Sequence, residues 1–386
     1  DALTRARSGT LGDTLSGLPG VAATGFGPQS SRPVIRGLDG DRIRLLDNGG
    51  AAVDASSLSF DHAAAIDPLV VERFEVLRGP AALLYGGSAT GGVVNAIDNR
   101  IPRTPLAGFG GRAEMRFGGA AGERAGAALV EGGANGFNWH ADVAARNSSD
   151  LRVPRFTPIE DGVPGQARTR VVNSAGKSRA GALGASWADA NGHVGLAIDG
   201  YRNDYGVTVE PDVTIDMKRD RVQFAGERQL GGALERVEFN ASHTRYEHQE
   251  VEGSGEVGTT FTSRGNELRA QGQLAPWSVA GGVLRGVVGT QLEALDFSAL
   301  GEEAFVPNTT TRSGAVFLLE EWRGAAFSLT GGVRAERAVV KSAGDSADAA
   351  EPRFGAATER RFSPVSASLG AVLPLSKVLR LSAQIG

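Results

Sequence analysis

The sequence has 386 residues, no cysteine, a formal net charge of −4 and 55 glycines, about 14 % against a usual share of about 7 %. The missing cysteine excludes disulfide scaffolds, cysteine zinc sites, thiol catalysis and iron–sulfur clusters, and the charge leaves no electrostatic footprint for nucleic acid. No run of about 18 apolar residues is present, which excludes a transmembrane helix, and the first residues, DALTRARSGT, lack the apolar core of a signal peptide.

In chain order, residues 1–105 read as a compact mixed α/β unit. Thr10 followed by Asp13 predicts an N-cap and a short helix over Leu11–Leu18. Pro19-Gly20 ends it. Asp67-Pro68 is a second helix-start signal, a cap followed by a first-turn proline. Strands are expected at Glu72–Leu77 and Val93–Ile97, with PAALLYGGSATGG between them as a short helical turn closed by glycines. The stretch Gly86–Gly92 lacks the Lys-Ser/Thr pair of a phosphate loop, so its glycines are read as tight turns needing positive φ.

From residue 106 to 386 the pattern changes to segments of about ten residues that alternate apolar and polar, with Gly, Asn, Asp or Pro at the joints. Phe137, Trp139, Ala141 and Val143 share one face, and Asn138, His140, Asp142 and Arg146 the other. Arg112–Phe117, Arg236–Thr244, Phe327–Glu336 and Leu379–Ile385 repeat the alternation. A soluble sandwich also alternates, but many such segments in series with no helical pattern among them favour a membrane barrel with its apolar face on lipid. Residues 106–386 supply roughly ten to twelve strands of about ten residues each. The chain stops inside an alternating strand at Gly386, so it is expected to be the N-terminal part of a longer protein.

Four stretches carry a resemblance: LGDTLSGLPGV (11–21), RPVIRGLDGDRIRLLDNG (32–49), VERFEVLRGPAALLYGGSATGGVVNAI (71–97) and NRIP (99–102). Together they resemble the plug domain of TonB-dependent outer-membrane receptors. LSFDHAAAIDPLVVERFEVLRGP (58–80), YRNDYG (201–206), IDMKRDR (215–221), RYEHQEVEG (245–253), EVGTTF (256–261) and LGEEAFVPNTTTRSGAVFLLEE (300–321) are similar to the ZnuD-type receptors for zinc. The resemblance implies an antiparallel transmembrane β-barrel of about 22 strands when complete, with the α/β plug inside its lumen. It implies the bacterial outer membrane as the location, TonB with its inner-membrane energising complex as partner, outer-membrane lipid around the wall, and zinc as transported ligand rather than prosthetic group. Where this group often carries a His-rich loop, GVTVEPDVTIDMK (206–218) has no histidine, and the TonB box that precedes such plugs is not in this sequence.

Five histidines are present: His62, His140, His193, His243 and His248. Zinc without cysteine needs imidazole nitrogens and carboxylate oxygens, usually four in a tetrahedron. The resemblance puts Asp61 and His62 in that role on the plug. Glu247 and His248, where a strand runs into the acidic segment EHQEVEGSGE, and Glu302 and Glu303, in a loop-like stretch, are the expected ligands from the wall. By itself each pair also fits a solvated turn, a lumen-facing hydrogen-bond pair or an acidic loop. His140 is expected to line the lumen, His193 to sit solvated in a turn and His243 to face outward near an interface. No Ser-His-Asp, HExxH or carboxylate dyad is present, so no enzymatic activity is expected. A receptor for a siderophore, haem or other organic metal complex stays open, mildly disfavoured by an aromatic content of 6 %; so does a soluble β-rich binding module, whose apolar strand faces would pack together.

Overall fold

The computed structural model describes residues 2–86, 89–160, 162–301, 304–345 and 352–386. Its N-terminal part is a small plug. Helix α1 (Ala2–Ala6) precedes α2 (Leu11–Leu15), where the Thr10 side chain accepts a hydrogen bond from the Asp13 N–H, as expected. The helix ends three residues earlier than Leu18, because Ser16, Gly17 and the turn at Pro19-Gly20 take the chain into strand β1 (Val21–Ala23). β1 pairs antiparallel with β2 (Pro33–Ile35). β3 (Ile43–Asp47), β4 (Gly50–Ala51), β5 (Arg73–Leu77) and β6 (Gly92–Ile97) form a second sheet in the order β4-β3-β6-β5, with β3 parallel to β6. Leu11, Leu15, Ile35, Ile43, Leu45 and Val94 fill the plug core.

Pro80–Tyr85 forms the expected helical turn, a 3₁₀ helix. Gly86 and Gly92 both have positive φ, at 141° and 138°, and a Cβ on Gly92 would lie 2.7 Å from the Leu77 carbonyl oxygen. The helix expected at Asp67-Pro68 does not form. The Asp67 carboxylate accepts from the Leu69 N–H at 2.9 Å, closing a turn, and the chain enters β5 a few residues on.

The rest of the chain is one large antiparallel sheet. Its continuous path runs β7 (Gly108–Gly118), β8 (Glu123–Ala134), β9 (Phe137–Ser148), β14 (Gly176–Asp189), β15 (Gly192–Gly206), β16 (Thr214–Gln229), β17 (Leu234–Val251), β18 (Val257–Leu274), β20 (Gly282–Gly301), β21 (Thr309–Arg323), β22 (Ser328–Ser342), β24 (Val365–Pro374) and β25 (Arg380–Ile385). β19 (Trp277–Val279) and β23 (Thr358–Phe362) attach to β20 and β22. β10 (Arg152–Phe156), β11 (Ile159–Glu160), β12 (Val163–Pro164) and β13 (Arg168–Arg170) form two small hairpins between β9 and β14. The wall thus holds more strands than the ten to twelve expected. The turns at one end consume almost no chain: Asn135-Gly136, both at positive φ, is the whole link from β8 to β9. Links at the other end are longer, as outer-membrane barrels place short turns on the periplasmic side and long loops outside. No helix among the described residues is long and apolar enough to cross a membrane.

The two faces of the wall settle its environment. On β9, Asn138, His140, Asp142 and Arg146 are buried toward the plug, while Val143 on the opposite face is 62 % exposed. Leu183, Val222, Val316 and Val333 likewise project outward. The apolar faces therefore do not pack together, which excludes the soluble sandwich. Aromatic pairs mark the short-turn end: Phe109–Trp139, Phe224–Phe239 and Trp322–Phe327, with ring centroids 5.0–6.0 Å apart, form the girdle expected at a membrane interface.

Charge holds plug to wall. Asp47, at the end of β3, takes Arg221 at 2.7 Å and Arg219 at 3.3 Å, both from the inner face of β16. Burial alone would raise the Asp47 pKa; Arg221, Arg219 and Arg100 outweigh it and hold the carboxyl below its usual range. Arg100, leaving the plug, grips Asp142 of β9 at 2.9 Å and Asp199 of β15 at 3.3 Å, and Asp199 also pairs with Arg219.

Two outcomes follow from this architecture. Leu183→Arg, in the middle of the outward face of β14, is expected to cost about 2–4 kcal/mol of folded-state stability in a bilayer, read as a lowered urea midpoint of heat-modifiable gel mobility. Asp47→Ala leaves the buried Arg221 without its carboxylate and Arg219 with Asp199 alone, and the plug is expected to loosen by about 3–5 kcal/mol, read as protease cleavage in the plug at lower urea while the wall stays folded.

Candidate metal centre

The site is built from one plug loop and one wall strand. In the loop, Asp54 accepts from the Ser56 N–H at 2.9 Å and the Ala65 N–H at 3.0 Å, tying its two ends together. Tyr205, on the inner face of β15, accepts from the Ala63 N–H at 2.8 Å and donates to the Asp61 carbonyl at 3.0 Å. A short apolar-walled bend results, with His62 at its tip and only 1 % exposed. On β17, period-two geometry sends Tyr246, His248 and Glu250 inward. These residues lie at the end of β17 joined to β18 by the longer link, hence on the outer side of the wall.

His62, His248 and Glu250 meet there, all buried, with one potential ligand atom from each within 4.8 Å of the others. His62 Nε2 is 3.2 Å from Glu250 Oε1 and 3.8 Å from Asp61 Oδ2, and His248 Nε2 is 3.7 Å from Glu250 Oε1. Around a tetrahedral ion with bonds of about 2.0–2.2 Å, ligand atoms stand about 3.3–3.6 Å apart. The observed separations cluster around that edge length. The outer nitrogens are already committed. His62 Nδ1 lies 3.1 Å from the Ala55 carbonyl oxygen, a contact only an N–H can make, so Nε2 carries the lone pair of the neutral ring. His248 Nδ1 is 2.8 Å from the Tyr246 hydroxyl. Such outer partners orient metal-binding imidazoles. His248 Nε2 and Glu250 Oε2 are buried without a hydrogen-bond partner among the described residues.

A lone pair facing a carboxylate oxygen at 3.2 Å is repulsive unless positive charge sits on the ring or between the two groups. Burial alone would lower the His62 pKa, but the hydrogen bond to Glu250, the charge of Asp61 and the Ala55 carbonyl outweigh it and the pKa is raised. A proton supplies the charge in the absence of a metal; a cation can replace it. Phe261 closes the apolar side, with its ring centroid 5.1 Å from that of His62 and 4.6 Å from that of His248.

Of the expected ligands, Asp61, His62 and His248 are brought together. Glu247 is not: it lies on the outer face of β17, its side chain 43 % exposed and 3.8 Å from Lys218 Nζ. Glu250 takes the place beside His248. Counting two residues on from His248 was signal enough to find it. Glu302 and Glu303 lie outside the described residues. His140 is buried in the lumen against Asp142 at 3.1 Å, His193 is half-buried at the start of β15, and His243 faces outward and contacts Asn266.

Residues 1–93 match the family described as TonB-dependent Receptor Plug Domain. The hemin receptor of Yersinia pestis is 35 % identical over 96 residues, 24 % of this chain and 14 % of that protein. Among solved structures, the copper transporter OprC superposes with a TM-score of 0.76 at 18 % identity, covering 98 % of this chain and 59 % of that one. The FrpB iron transporter from Neisseria meningitidis gives 0.74 at 14 % identity, covering 98 % and 62 %. The chain thus spans about three fifths of the length of these solved relatives. Its first 93 residues match a TonB-dependent receptor plug domain and sit against a strand wall with the fold of outer-membrane β-barrels, which places it in the bacterial outer membrane.

Tyr205→Phe removes the hydroxyl that satisfies the Ala63 N–H. The buried donor left behind is expected to cost about 1–3 kcal/mol, measured as faster amide exchange across residues 59–65 with the wall unchanged.

Proposed function

We propose that this chain forms the plug and part of the wall of a TonB-dependent outer-membrane importer for a divalent metal ion, zinc first. The ion is taken between plug and wall by His62, His248 and Glu250, with Asp61 as fourth ligand. One observation carries the reading. Two imidazole nitrogens and two carboxylate oxygens converge at ligand-to-ligand distances, while His248 Nε2 and Glu250 Oε2 find no hydrogen-bond partner among the described residues. A donor set of nitrogen and oxygen without thiolate suits zinc and other borderline divalent ions. The ligands come from both sides of the plug–wall seam, so in this reading TonB, driven by the inner-membrane proton gradient, releases the ion by moving the plug. No bond of the cargo is made or broken, and the activity is transport rather than catalysis.

A second reading, a metal carried inside an organic complex, has its own support. Phe26 and Phe60 form an exposed pair on the plug, ring centroids 5.6 Å apart, and Phe60 directly precedes Asp61. Such a pair offers a flat apolar surface to a planar chelate.

Calorimetry of the detergent-purified protein distinguishes the two. The first reading expects one zinc site, lost in His62→Ala and weakened at least tenfold in Glu250→Gln, with Glu247→Gln like the parent and nickel and manganese as weaker competitors. Failure of every divalent ion to bind would sink it and leave the organic complex, whose binding should then fall on Phe60→Ala.

A further inference from the structure

A second imidazole is buried on the inner face of the wall, far along the seam from His248. His140 of β9 is 4 % exposed. It stands three residues above Phe137, where the short turn from β8 ends, so it lies about 10 Å inside the short-turn rim. His248 stands three residues from the opposite, outer end of β17. Each ring nitrogen of His140 faces a carboxylate. Nε2 is 3.1 Å from Asp142 Oδ2, and Nδ1 is 3.5 Å from Glu131 Oε2, on the residue directly opposite in β8.

Asp142 fixes the tautomer. Arg100 donates to it twice, from Nε at 2.9 Å and from Nη2 at 3.2 Å, which keeps it a carboxylate. Its contact with Nε2 therefore takes an N–H from the ring, and the lone pair of the neutral imidazole falls on Nδ1. Nδ1 is buried and makes no hydrogen bond among the described residues. A proton shared with Glu131 would draw the two atoms to about 2.7–2.9 Å. They stand 3.5 Å apart, and Glu131 Oε2 accepts instead from the Asn99 amide of the plug at 3.0 Å. That separation matches the ligand-to-ligand edge of a tetrahedral ion, about 3.3–3.6 Å. A carboxylate behind the far ring nitrogen is the support that orients metal-bound imidazoles.

The surroundings leave room for an ion. In the row across the sheet, Gly110 of β7 stands opposite Glu131 and Gly184 of β14 opposite His140, so neither neighbour brings a side chain to the pair. A Cβ on Gly184 would lie 1.7 Å from the Arg100 carbonyl oxygen, so the end of the plug crosses the wall there, beside the ring. A cavity of about 280 Å³ between plug and wall reaches His140 and Asn99 past Val70 and Leu129.

We infer that His140 Nδ1 and Glu131 form a second, weaker site for a divalent cation on the inner half of the plug–wall seam, with water completing its shell. Two protein ligands in place of four let an ion leave readily, which suits a station on the way out of the outer centre. As a stage of import the site rests on the reading given above; as a cation site it stands on its own geometry.

The test uses the detergent-purified His62→Ala protein, in which the outer centre is disabled, with carbon-13 in its histidine rings and cobalt(II) as probe. The ring signal missing from His140→Gln identifies the residue. Cobalt is expected to shift that signal saturably, excess zinc to reverse the shift and Glu131→Gln to abolish it, while magnesium, which takes oxygen ligands, leaves it in place. Heat-modifiable mobility equal to the parent's shows that each variant folds. A His140 signal that moves with pH but not with cobalt, or that responds equally to cobalt in Glu131→Gln, would overturn the inference whether or not the outer centre binds zinc. Absence of an outer zinc site in the parent, with the cobalt response of His140 intact, would sink the import reading and uphold this site.

Discussion

A strand wall in a bilayer must satisfy every backbone N–H and C=O between its own strands and present apolar side chains to lipid. Within the apolar band, period two then turns the polar side chains inward. The lumen is therefore crowded with groups that are costly to bury unpaired, and the plug supplies partners for them. Asp47 answers Arg219 and Arg221, and Arg100 answers Asp142 and Asp199. Much of the plug–wall contact is therefore ionic, beside an apolar patch where Ala55, Ala63 and Ala65 of the plug meet Tyr201, Tyr205 and Met217 of the wall. Removing a whole plug element would expose several buried charges at once, yet each pair can be exchanged for water when the plug moves, which an interlocked apolar core would not permit.

The candidate metal centre is the place where this pairing is left incomplete. Elsewhere in the lumen, carboxylates meet guanidiniums. Around His62 there is no arginine among the near partners; the neighbours are a second imidazole, two carboxylates and the Phe261 ring. His248 Nε2 and Glu250 Oε2 remain without a hydrogen-bond partner among the described residues. Tyr205 and Tyr246 fix the loop and the His248 ring, so these donor atoms are rigidly framed rather than slack. An unpaired buried nitrogen and oxygen aimed at one point cost stability unless something else completes them.

Much of this was legible in the sequence. Alternation of Phe137–Arg146 predicted both the strand and which face meets lipid, and the Thr10 cap predicted α2, because both signals are local. The Asp67-Pro68 signal misled for a tertiary reason: the buried Asp67 carboxylate closes a turn that leads straight into β5. Pairing Glu247 with His248 failed because adjacency in sequence is opposition in a strand, and Lys218 on the outer face holds Glu247 there. Glu250 was legible by the same rule that found the strands. Asp61 and His62 were legible only through resemblance, since no periodicity marks a loop.

The proposed ligand set is divided across the seam between plug and wall. His62 and Asp61 belong to the plug, and His248 and Glu250 to the wall. A cation bridging them would add its own bonds to the ionic contacts that already dock the plug, so the loaded state would be the tighter one. In the proposed importer, release would then need work from outside to separate the two halves, and that separation would itself dismantle the coordination, because no three of the four groups reside on one part. The division also sets a direction. The Ala63 and Asp61 backbone is held by Tyr205 through two hydrogen bonds, a far smaller attachment than the Asp47 and Arg100 clusters, so the 59–65 loop is the segment that can yield first while the rest of the plug stays seated.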